Sequence, residues 1–281
     1  MFSIIIPTFN NLNYLSLCLN SIHKNSKYNH EIILHVNEGS DGTIDFVKSH
    51  KIIHTYSADN VGLCSGVNLA AKKATKNYIL YSHDDMYFCP GWDIALENEI
   101  IINNTKLFYL SSTMIEQNSG HIQFDCGKNF EEFKENKLLN NLSNLSYYNH
   151  QGSHWAPHLI HREIWNKIGG FSEEFNPGMG SDPDLNMKLW NEGVRIFKGL
   201  ENFKVYHFVS ISLRKKKDLK KNNGARTFLK KWGISVKFFK KHYLKTNTEY
   251  KSELKDPVRN FVYFKDYFIT KIYYFVVKYF K

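Results

Sequence analysis

Five short apolar runs recur along the N-terminal part of the chain, and each ends at polar or turn-forming residues. Runs of this length, rich in β-branched and aromatic side chains, are typical of buried strands rather than helices. They are FSIII (2–6), EIILHV (31–36), KIIHTY (51–56), YILYS (78–82) and LFYLS (107–111). Segments with helical spacing of apolar residues accompany them at 11–24, 63–75, 92–102 and 183–192. This alternation predicts an α/β fold with a mostly parallel central sheet covered by helices on both faces.

Local signals refine this pattern at three places. Asn10 is a possible cap for the helix predicted at 11–24, and Pro183 suits the first turn of the helix predicted at 183–192. Residues 112–150 are polar and Asn-rich with weak periodicity, so we expect irregular structure or a variable insertion there.

Charge divides the chain into two parts. Residues 214–281 hold 20 Lys and Arg against 5 Asp and Glu, whereas the first 213 residues hold 17 against 22. The net charge of +10 therefore belongs to the C-terminal part alone. We predict a globular domain at 1–213 and a basic, amphipathic helical tail at 214–281.

Composition excludes several classes of protein. A hydrophobic content of 42% with 15% aromatic residues is too high for a disordered chain. No window of 18 uncharged apolar residues predicts a transmembrane helix, and no basic segment precedes an apolar one at the N-terminus, as in a secretory signal. The four cysteines show no CxxC spacing, which argues against a zinc site or a disulfide framework and favours a reducing cytoplasm.

Polar residues follow three of the predicted strands, at Pro7–Asn10, Asn37–Ser40 and His83–Asp85. Ligands of open parallel sheets bind beyond the carboxyl ends of the strands, so we expect these segments to meet there. Carboxylates at such a place can hold Mg²⁺ or Mn²⁺ against a diphosphate. The alternative is a solvated acidic turn after a strand.

Four further segments have a functional and a structural interpretation. Glu38 in EGSDGT could accept from a ribose hydroxyl or a base, or the segment could be an ordinary turn. Asn60-Val61-Gly62 could bring a helix N-terminus to a phosphate, or Asn60 could only cap that helix. One of Asp182 and Asp184 could act as a general base while the other stabilises a helix start. His207 is either a structural residue of an aromatic strand or part of a metal site.

Taken in order, these motifs resemble the family 2 glycosyltransferases of the GT-A fold. The resemblance spans roughly residues 2–208 and rests on SIIIPTFN, VNEGSDGT, NVGLCSGVN, HDDMYFCPGW, GGFSEEF and SDPDLNMKLW. It implies transfer of a sugar from a nucleoside-diphosphate sugar with the help of a divalent metal, Mn²⁺ or Mg²⁺.

The resemblance assigns roles to residues that match the family's motifs. Asp182 matches the catalytic base of inverting members, and Asp85 matches the metal-contacting second Asp of the DxD motif. His83 takes the place of the first Asp of that motif, and His207 falls where some members place another metal ligand. The remaining assignments concern the nucleotide, and they comprise Pro7, Thr8, Asn10, Glu38, Asn60, Gly62 and Asp84.

The chain departs from the family pattern at several positions. His83 replaces an Asp, Ser181 stands where Glu is common, and Asn37-Glu38 replaces a pair of Asp residues in a motif that is one residue shorter. These differences leave the donor nucleotide open. They are also consistent with an alternative in which the domain is a catalytically inactive scaffold.

The acceptor implied by the resemblance is a hydroxyl of a cell-envelope glycan or a lipid-linked acceptor. The chain has no QxxRW-type motif and no predicted membrane spans, so addition of a single sugar is favoured over processive synthesis.

The predicted tail interleaves Lys and Arg with aromatic residues. On a helical wheel, one broad face holds Phe261, Phe264, Phe268, Ile272, Phe275 and Tyr279, whereas Arg259, Lys271, Lys278 and Lys281 lie mostly opposite. This pattern predicts contact with an anionic membrane surface, which would place the protein peripherally on the cytoplasmic face of the cell membrane. The first alternative is that the aromatic face packs on the domain or on a second copy in a homo-oligomer. Nucleic-acid binding, the other alternative, would leave the motifs at the sheet edge unexplained.

Overall fold

The structure is a computed structural model that describes residues 1–152, 154–209 and 222–280. The strands are β1 (Phe2–Phe9), β2 (Glu31–Asn37), β3 (Ile53–Ser57), β4 (Tyr78–Tyr81), β5 (Met86–Phe88), β6 (Phe108–Glu116), β7 (Ile122–Gln123), β8 (His150–Gln151), β9 (His158–His161) and β10 (Ile196–His207). The helices are α1 (Leu12–Asn25), α2 (Thr43–Ser49), α3 (Leu63–Ala71), α4 (Trp92–Asn103), α5 (Glu135–Asn141), α6 (Arg162–Ile168), α7 (Ser181–Asn191), α8 (Gly224–Trp232), α9 (Val236–Phe239) and α10 (Phe261–Tyr279). A 3-10 turn at Glu173–Phe175 precedes α7, and a π-helical turn at Lys240–Leu244 continues α9.

These strands form one mixed sheet in the order β3-β2-β1-β4-β9-β6-β10-β5, with β7 beside β6 and β8 beside β10. Strands β3, β2, β1 and β4 are parallel, and β6 and β10 are parallel to each other. Strand β9 is antiparallel to both β4 and β6, so the carboxyl ends of β1, β4, β6 and β10 point to the same edge of the sheet. The predicted α/β architecture with a mostly parallel central sheet is confirmed.

Strand β1 shows why the strand prediction succeeded. It lies inside the sheet with helices on both sides, and Ile4, Ile5 and Ile6 are fully buried. A strand buried on both faces reads as a continuous apolar run because neither face contacts water. The main core joins these residues to the inner faces of α1, α3 and α4.

One local prediction was wrong, and another held only in part. Helix α1 begins at Leu12, and Asn10 does not cap it; the Leu12 amide donates instead to the Asp41 carboxylate at 2.9 Å. Segment 112–150 is more regular than expected, because β6 continues to Glu116 and α5 follows. Leu138 of α5 is fully buried in a second apolar cluster with Tyr14 and Phe208, and a single such residue gave no periodic signal.

The C-terminal segment 222–280 packs on the part of the fold that contains the sheet rather than standing apart from it. Phe228, Phe238 and Phe239 belong to the main core. Helix α8 also approaches the loop before α7 so closely that a Cβ on Gly224 would lie 1.8 Å from the Met179 carbonyl oxygen. The predicted boundary at 213/214 falls in residues 210–221, outside the described residues, so the two-domain division stays a prediction.

A buried carboxylate joins α7 to α8. Asp184 is fully buried, and its Oδ1 accepts from the Trp232 indole N–H at 2.8 Å and lies 3.0 Å from the Lys231 ammonium. A charge without water needs partners of this kind, since an unpaired buried carboxylate is costly. Asp184 therefore serves as an anchor between the two helices.

We expect the Trp232→Phe variant to lower the free energy of unfolding by about 1–3 kcal/mol, because it keeps the ring but removes a donor to a buried charge. Trp155→Phe is the matched control: its N–H donates to the neutral Ser112 carbonyl at 3.4 Å, so its loss costs less. Urea unfolding measures both values. Equal losses for the two variants would contradict the anchoring role of Asp184.

Candidate active site

Two loops at the carboxyl edge of the sheet are joined by a hydrogen bond between side chains. Thr8, at the end of β1, donates its hydroxyl to Asp84 Oδ2 at 2.7 Å. Asp84 belongs to the turn between β4 and β5, so the parallel pairing of β1 and β4 brings the two together. Pro7 precedes Thr8 on β1, opposite His35 of β2. Burial, together with the charge of Asp85, raises the pKa of Asp84 to about 7.

The loops after β1 and β2 are joined next to this contact. The Asn10 amide donates to Glu38 at 3.0 Å and accepts from the Ser40 backbone at 2.9 Å. Asn10 and Glu38 both adopt positive φ, at 47° and 57°, which turns each chain sharply out of its strand. The sequence prediction placed both residues at the nucleotide, and the structure brings their side chains into contact.

The loop after β3 is held by asparagines from other elements. Val61 donates its amide to Asn37 at 2.9 Å, and Asn60 accepts from the Gly62 amide at 2.9 Å. Gly62 has φ of 85°, and a Cβ there would lie 2.5 Å from the Asn176 side chain, so glycine is required at this position.

The N-terminus of α3 is already satisfied within the protein. Gly62, not Asn60, occupies the N-cap position. The Cys64 amide donates to Asn176 Oδ1 at 2.9 Å, and the Leu63 amide donates to the Pro177 carbonyl at 3.3 Å. A phosphate at this helix end would have to displace Asn176, so neither reading of Asn60 at the helix end describes the structure. A role for Asn60 at the nucleotide stays a prediction.

Three predicted metal ligands converge at the same edge. One ligand atom each from His83, Asp85 and His207 can be chosen so that all three lie within 4.8 Å of one another. Asp85 Oδ1 is 3.6 Å from His207 Nε2 and 4.0 Å from His83 Nδ1. Carboxylate oxygen and imidazole nitrogen form a donor set that suits Mn²⁺.

Strand pairing fixes His207 beside Asp85. His207 ends β10 and pairs with Met86, the first residue of β5, while the Phe208 amide donates to the Asp85 carbonyl at 3.1 Å. On the other side of the ring, His207 Nδ1 lies 2.7 Å from Glu116 at the end of β6. Glu116 thereby orients the ring so that Nε2 faces Asp85, as carboxylates behind metal-binding histidines do.

The charges of this cluster favour a cation. Burial by itself lowers the pKa of His207, but the carboxylates of Asp85 and Glu116 outweigh it and raise the pKa to about 10. Burial lowers the pKa of His83 to about 4, so His83 offers a neutral lone pair. Two buried carboxylates thus share one positive charge, which a divalent metal could replace while releasing the proton of His207. The residues present fit a metal.

Asp182 lies in the first turn of α7, and its Oδ1 is buried without a hydrogen-bond partner among the described residues. Burial raises the pKa of Asp182 to about 7. The neighbouring Asp184 is instead held by Trp232, as described above. Asp182 and Asp184, at positions i and i+2, therefore have different roles. Asp184 is anchored through Oδ1, whereas Oδ1 of Asp182 can still accept a hydrogen bond.

Tyr81, the last residue of β4, is buried beside the metal cluster. Its ring stands 5.5 Å from that of His83. Burial raises the pKa of its phenol, and the negative charges of Asp182 and Asp85 add to this effect.

Sequence reasoning missed two residues of this region. Glu116 lay in the segment expected to be irregular, and only the pairing of β6 with β10 brings it to His207. His158, on β9, contacts the Tyr109 hydroxyl through Nδ1 at 2.9 Å. The other ring nitrogen, Nε2, is buried without a hydrogen-bond partner among the described residues. No motif in the sequence indicated either residue.

Comparison with known proteins identifies the family. The profile of Glycosyl transferase family 2 matches residues 3–169, more than half of the chain. The chain belongs to glycosyltransferase family 2. It is 32% identical over 180 residues to uncharacterized glycosyltransferases of Rickettsia prowazekii and Rickettsia typhi, an alignment that covers 61% of this chain. The chain spans about half the length of these relatives, 53% in both cases.

Solved structures agree on the fold of this family 2 chain. S. aureus TarS, crystallised with UDP-GlcNAc, matches with a TM-score of 0.54 and 17% identity over 74% of this chain and 60% of TarS. GalNAc-T7, crystallised with UDP, GalNAc and Mn²⁺, matches with a TM-score of 0.56 and 16% identity over 74% of this chain and 43% of that one. The architecture is therefore the GT-A fold, as the sequence predicted.

We expect Asp182→Asn to raise the melting temperature at pH 8 by more than it does at pH 5. The folded-state pKa of Asp182, about 7, lies above the ordinary value of 3.8, so its ionisation destabilises the folded state fully above pH 7 and progressively less as pH falls toward 4. Asparagine is uncharged throughout. Differential scanning fluorimetry at the two pH values measures the effect.

The matched control is Asp59→Asn, because Asp59 is exposed in the loop after β3. This variant should leave the melting temperature nearly unchanged at both pH values. A gain for Asp182→Asn that is as large at pH 5 as at pH 8 would contradict the raised pKa.

Proposed function

We propose that this chain is a metal-dependent, inverting glycosyltransferase that adds a single sugar from a nucleoside-diphosphate sugar to an acceptor hydroxyl. The observation that carries the proposal is the convergence of His83, Asp85 and His207 at the sheet edge where Thr8, Asn10 and Glu38 also meet. A metal cluster beside these polar side chains suits a nucleotide bound through its diphosphate.

The nucleotide would lie across the loops after β1, β2 and β3. Glu38 and Asn10 offer hydrogen-bonding groups to the base or ribose, and Asn60 and Gly62 form the neighbouring wall. Thr8 fixes Asp84, which in turn supports the turn that carries Asp85. The UDP and UDP-GlcNAc complexes of TarS and the UDP complex of GalNAc-T7 support a nucleotide-sugar donor, without identifying its base.

Asp85, His83 and His207 would hold the divalent metal, with Glu116 orienting His207 from behind. The metal would supply neutralisation of the negative charge that develops on the departing diphosphate. Mn²⁺ in the GalNAc-T7 structure supports this choice, as does the mixture of imidazole and carboxylate ligands here.

Asp182 would act as the general base. Its carboxylate accepts the proton of the acceptor hydroxyl as that oxygen attacks the anomeric carbon from the face opposite the diphosphate, which inverts the configuration. A base with a pKa near 7 is well matched to this role at neutral pH, and general-base help is typically worth about 10²–10⁴-fold in rate. The acceptor is proposed to be a cell-envelope glycan or a lipid-linked sugar.

We expect one nucleoside diphosphate among UDP, GDP, dTDP, CDP and ADP to raise the melting temperature with Mn²⁺ but not with EDTA, because binding to the folded state stabilises it by mass action. Asp85→Asn should abolish this metal-dependent rise, since it removes the charged ligand. Glu116→Gln should weaken Mn²⁺ about 10–100-fold, since it leaves the ligands in place but loosens His207. Thermal shift with a Mn²⁺ titration measures all three.

The control is Glu253→Gln, because Glu253 is exposed and the neighbouring Leu254 amide donates to the Arg195 carbonyl, at the opposite end of β10 from His207. This variant should behave as the unmodified protein. If Asp85→Asn kept the full metal-dependent rise, the proposed metal site would be wrong. If no nucleotide raised the melting temperature at all, an inactive scaffold would become the better description of the chain.

We expect the rate of sugar transfer or donor hydrolysis to fall about tenfold per pH unit below pH 7, because only ionised Asp182 accepts a proton. Asp182→Asn should lose at least a hundredfold in rate while keeping metal-dependent nucleotide binding. Release of the nucleoside diphosphate between pH 5.5 and 8.5 measures the profile, and NMR of the product gives the anomeric configuration. A profile that is flat across pH 7, or retention of configuration, would exclude Asp182 as the base of an inverting reaction.

A further inference from the structure

Helix α10 leaves a large apolar face in solvent. Among the described residues, 23 large hydrophobic side chains are exposed, and 12 of them lie between Val258 and Phe280. The exposed fractions reach 82% at Phe261, 66% at Phe268 and 55% at Phe275. The other side chains of this face are Val262, Phe264, Ile269, Ile272, Tyr273, Val276, Tyr279 and Phe280. A contiguous apolar patch of this kind marks an interaction surface.

The opposite face of α10 is already occupied. Tyr263 packs against Phe238 at 5.1 Å, and Thr270 accepts from the Ser235 amide at 2.7 Å. Asp266 pairs with Lys241 and His242 at 2.6 and 2.8 Å. Every member of the aromatic face predicted from the sequence is exposed. The alternative in which this face packs on the domain is therefore wrong.

Positive charge dominates the segment that carries the exposed face. Residues 222–280 carry 13 Lys and Arg against 4 Asp and Glu. Lys278 stands over the rings of Tyr274 and Tyr279 at 5.6 and 5.2 Å, and Lys265 is exposed within the face itself. Long lysine side chains can bury their stems in an apolar layer while the ammonium reaches the headgroups.

A basic cleft lies in the segment against which α10 packs. It has a volume of about 810 Å³ and is lined by Lys237, Lys240, Lys241 and Lys245 together with Thr246 and Thr248. Ammonium and hydroxyl groups in one cleft match the chemistry of phosphate oxygens.

We propose that the exposed face of α10 docks on the surface of an anionic lipid bilayer, with its aromatic side chains in the headgroup boundary and the lysine cleft facing phosphate headgroups. Since the other face contacts α8 and α9, only one side of the helix meets lipid. The helix lies along the surface, over about 28 Å for its 19 residues. This inference goes beyond the proposed function and does not depend on it.

The surrounding charge selects this partner over two others. Two copies joined through this face would bring two strongly basic segments together, and their repulsion opposes a dimer. A nucleic acid would satisfy the lysines but leave Val262, Ile269 and Val276 without an apolar partner. An anionic bilayer matches both the charge and the apolar face.

The test is flotation of the full chain with vesicles. We expect it to bind vesicles of equal parts phosphatidylcholine and phosphatidylglycerol, and to bind pure phosphatidylcholine at least tenfold more weakly. The triple variant Phe261→Ser, Phe268→Ser, Phe275→Ser should lose on the order of a hundredfold in binding, because it removes apolar surface that the bilayer buries. The double variant Lys237→Gln, Lys245→Gln should bind the anionic vesicles about fivefold more weakly for each lysine replaced. This loss of binding should be larger at low salt than at high salt.

The matched control is the double variant Ile101→Ser, Ile102→Ser. These side chains lie on α4 rather than α10 and are 69% and 73% exposed, respectively. This variant should bind vesicles normally. All replaced residues are exposed, and unchanged circular dichroism would show that the variants fold. The proposal is overturned if the triple variant binds as well as the unmodified chain, or if neutral vesicles bind equally well. It is also overturned if the chain fails to float and sedimentation shows that the triple variant converts a dimer to a monomer.

Discussion

The pairing of β10 with β6 on one side and β5 on the other is the constraint on which the candidate site depends. It places His207 at the end of β10, the strand next to the sheet's edge strand β5, with Glu116 on one flank and Asp85 on the other. Neither carboxylate is near His207 in the sequence, and both are buried. The cluster is therefore held by the register of three strands, and a shift of one residue would turn His207 to the other face.

Burial gives the acidic residues of the site their different properties. Asp84, Asp85, Asp182 and Asp184 all lie near this end of the sheet, and their environments separate their roles. Asp184 Oδ1 has Trp232 and Lys231 as partners, whereas Oδ1 of Asp182 has no hydrogen-bond partner among the described residues, and burial raises the pKa of Asp182 to about 7. Enzymes commonly give paired acidic residues different roles by placing them in different environments.

The C-terminal segment connects the base candidate to the surface that we propose for lipid. Trp232 of α8 holds Asp184, two residues from Asp182, and α8 and α9 in turn support α10. No helix among the described residues is long and apolar enough to cross a membrane. The aromatic face was visible in the sequence because helical spacing alone brings Phe261, Phe264 and Phe268 together. Which face would be covered was not visible, because the sequence does not say where Phe238 and Ser235 lie.

The sequence by itself determined the alternation of strands and helices, because each strand and helix carries its own periodic signal. The resemblance of its motifs, taken in order, indicated the family and with it the GT-A fold. The sequence also located the loops after β1, β2 and β4 at the edge of the sheet. Helix capping was predicted less well: Asn10 contacts Glu38 and Ser40 instead of capping α1, since an asparagine that leaves a strand has several partners within reach. Only the tertiary structure decided that Glu116 supports His207, that Nε2 of His158 is buried without a hydrogen bond among the described residues, and that Asp184 anchors α7 to α8 while Oδ1 of Asp182 has no partner there. Those relations join residues far apart in the chain, and the physical reason is that burial and hydrogen-bond partners are set by packing between elements rather than by neighbours in the sequence.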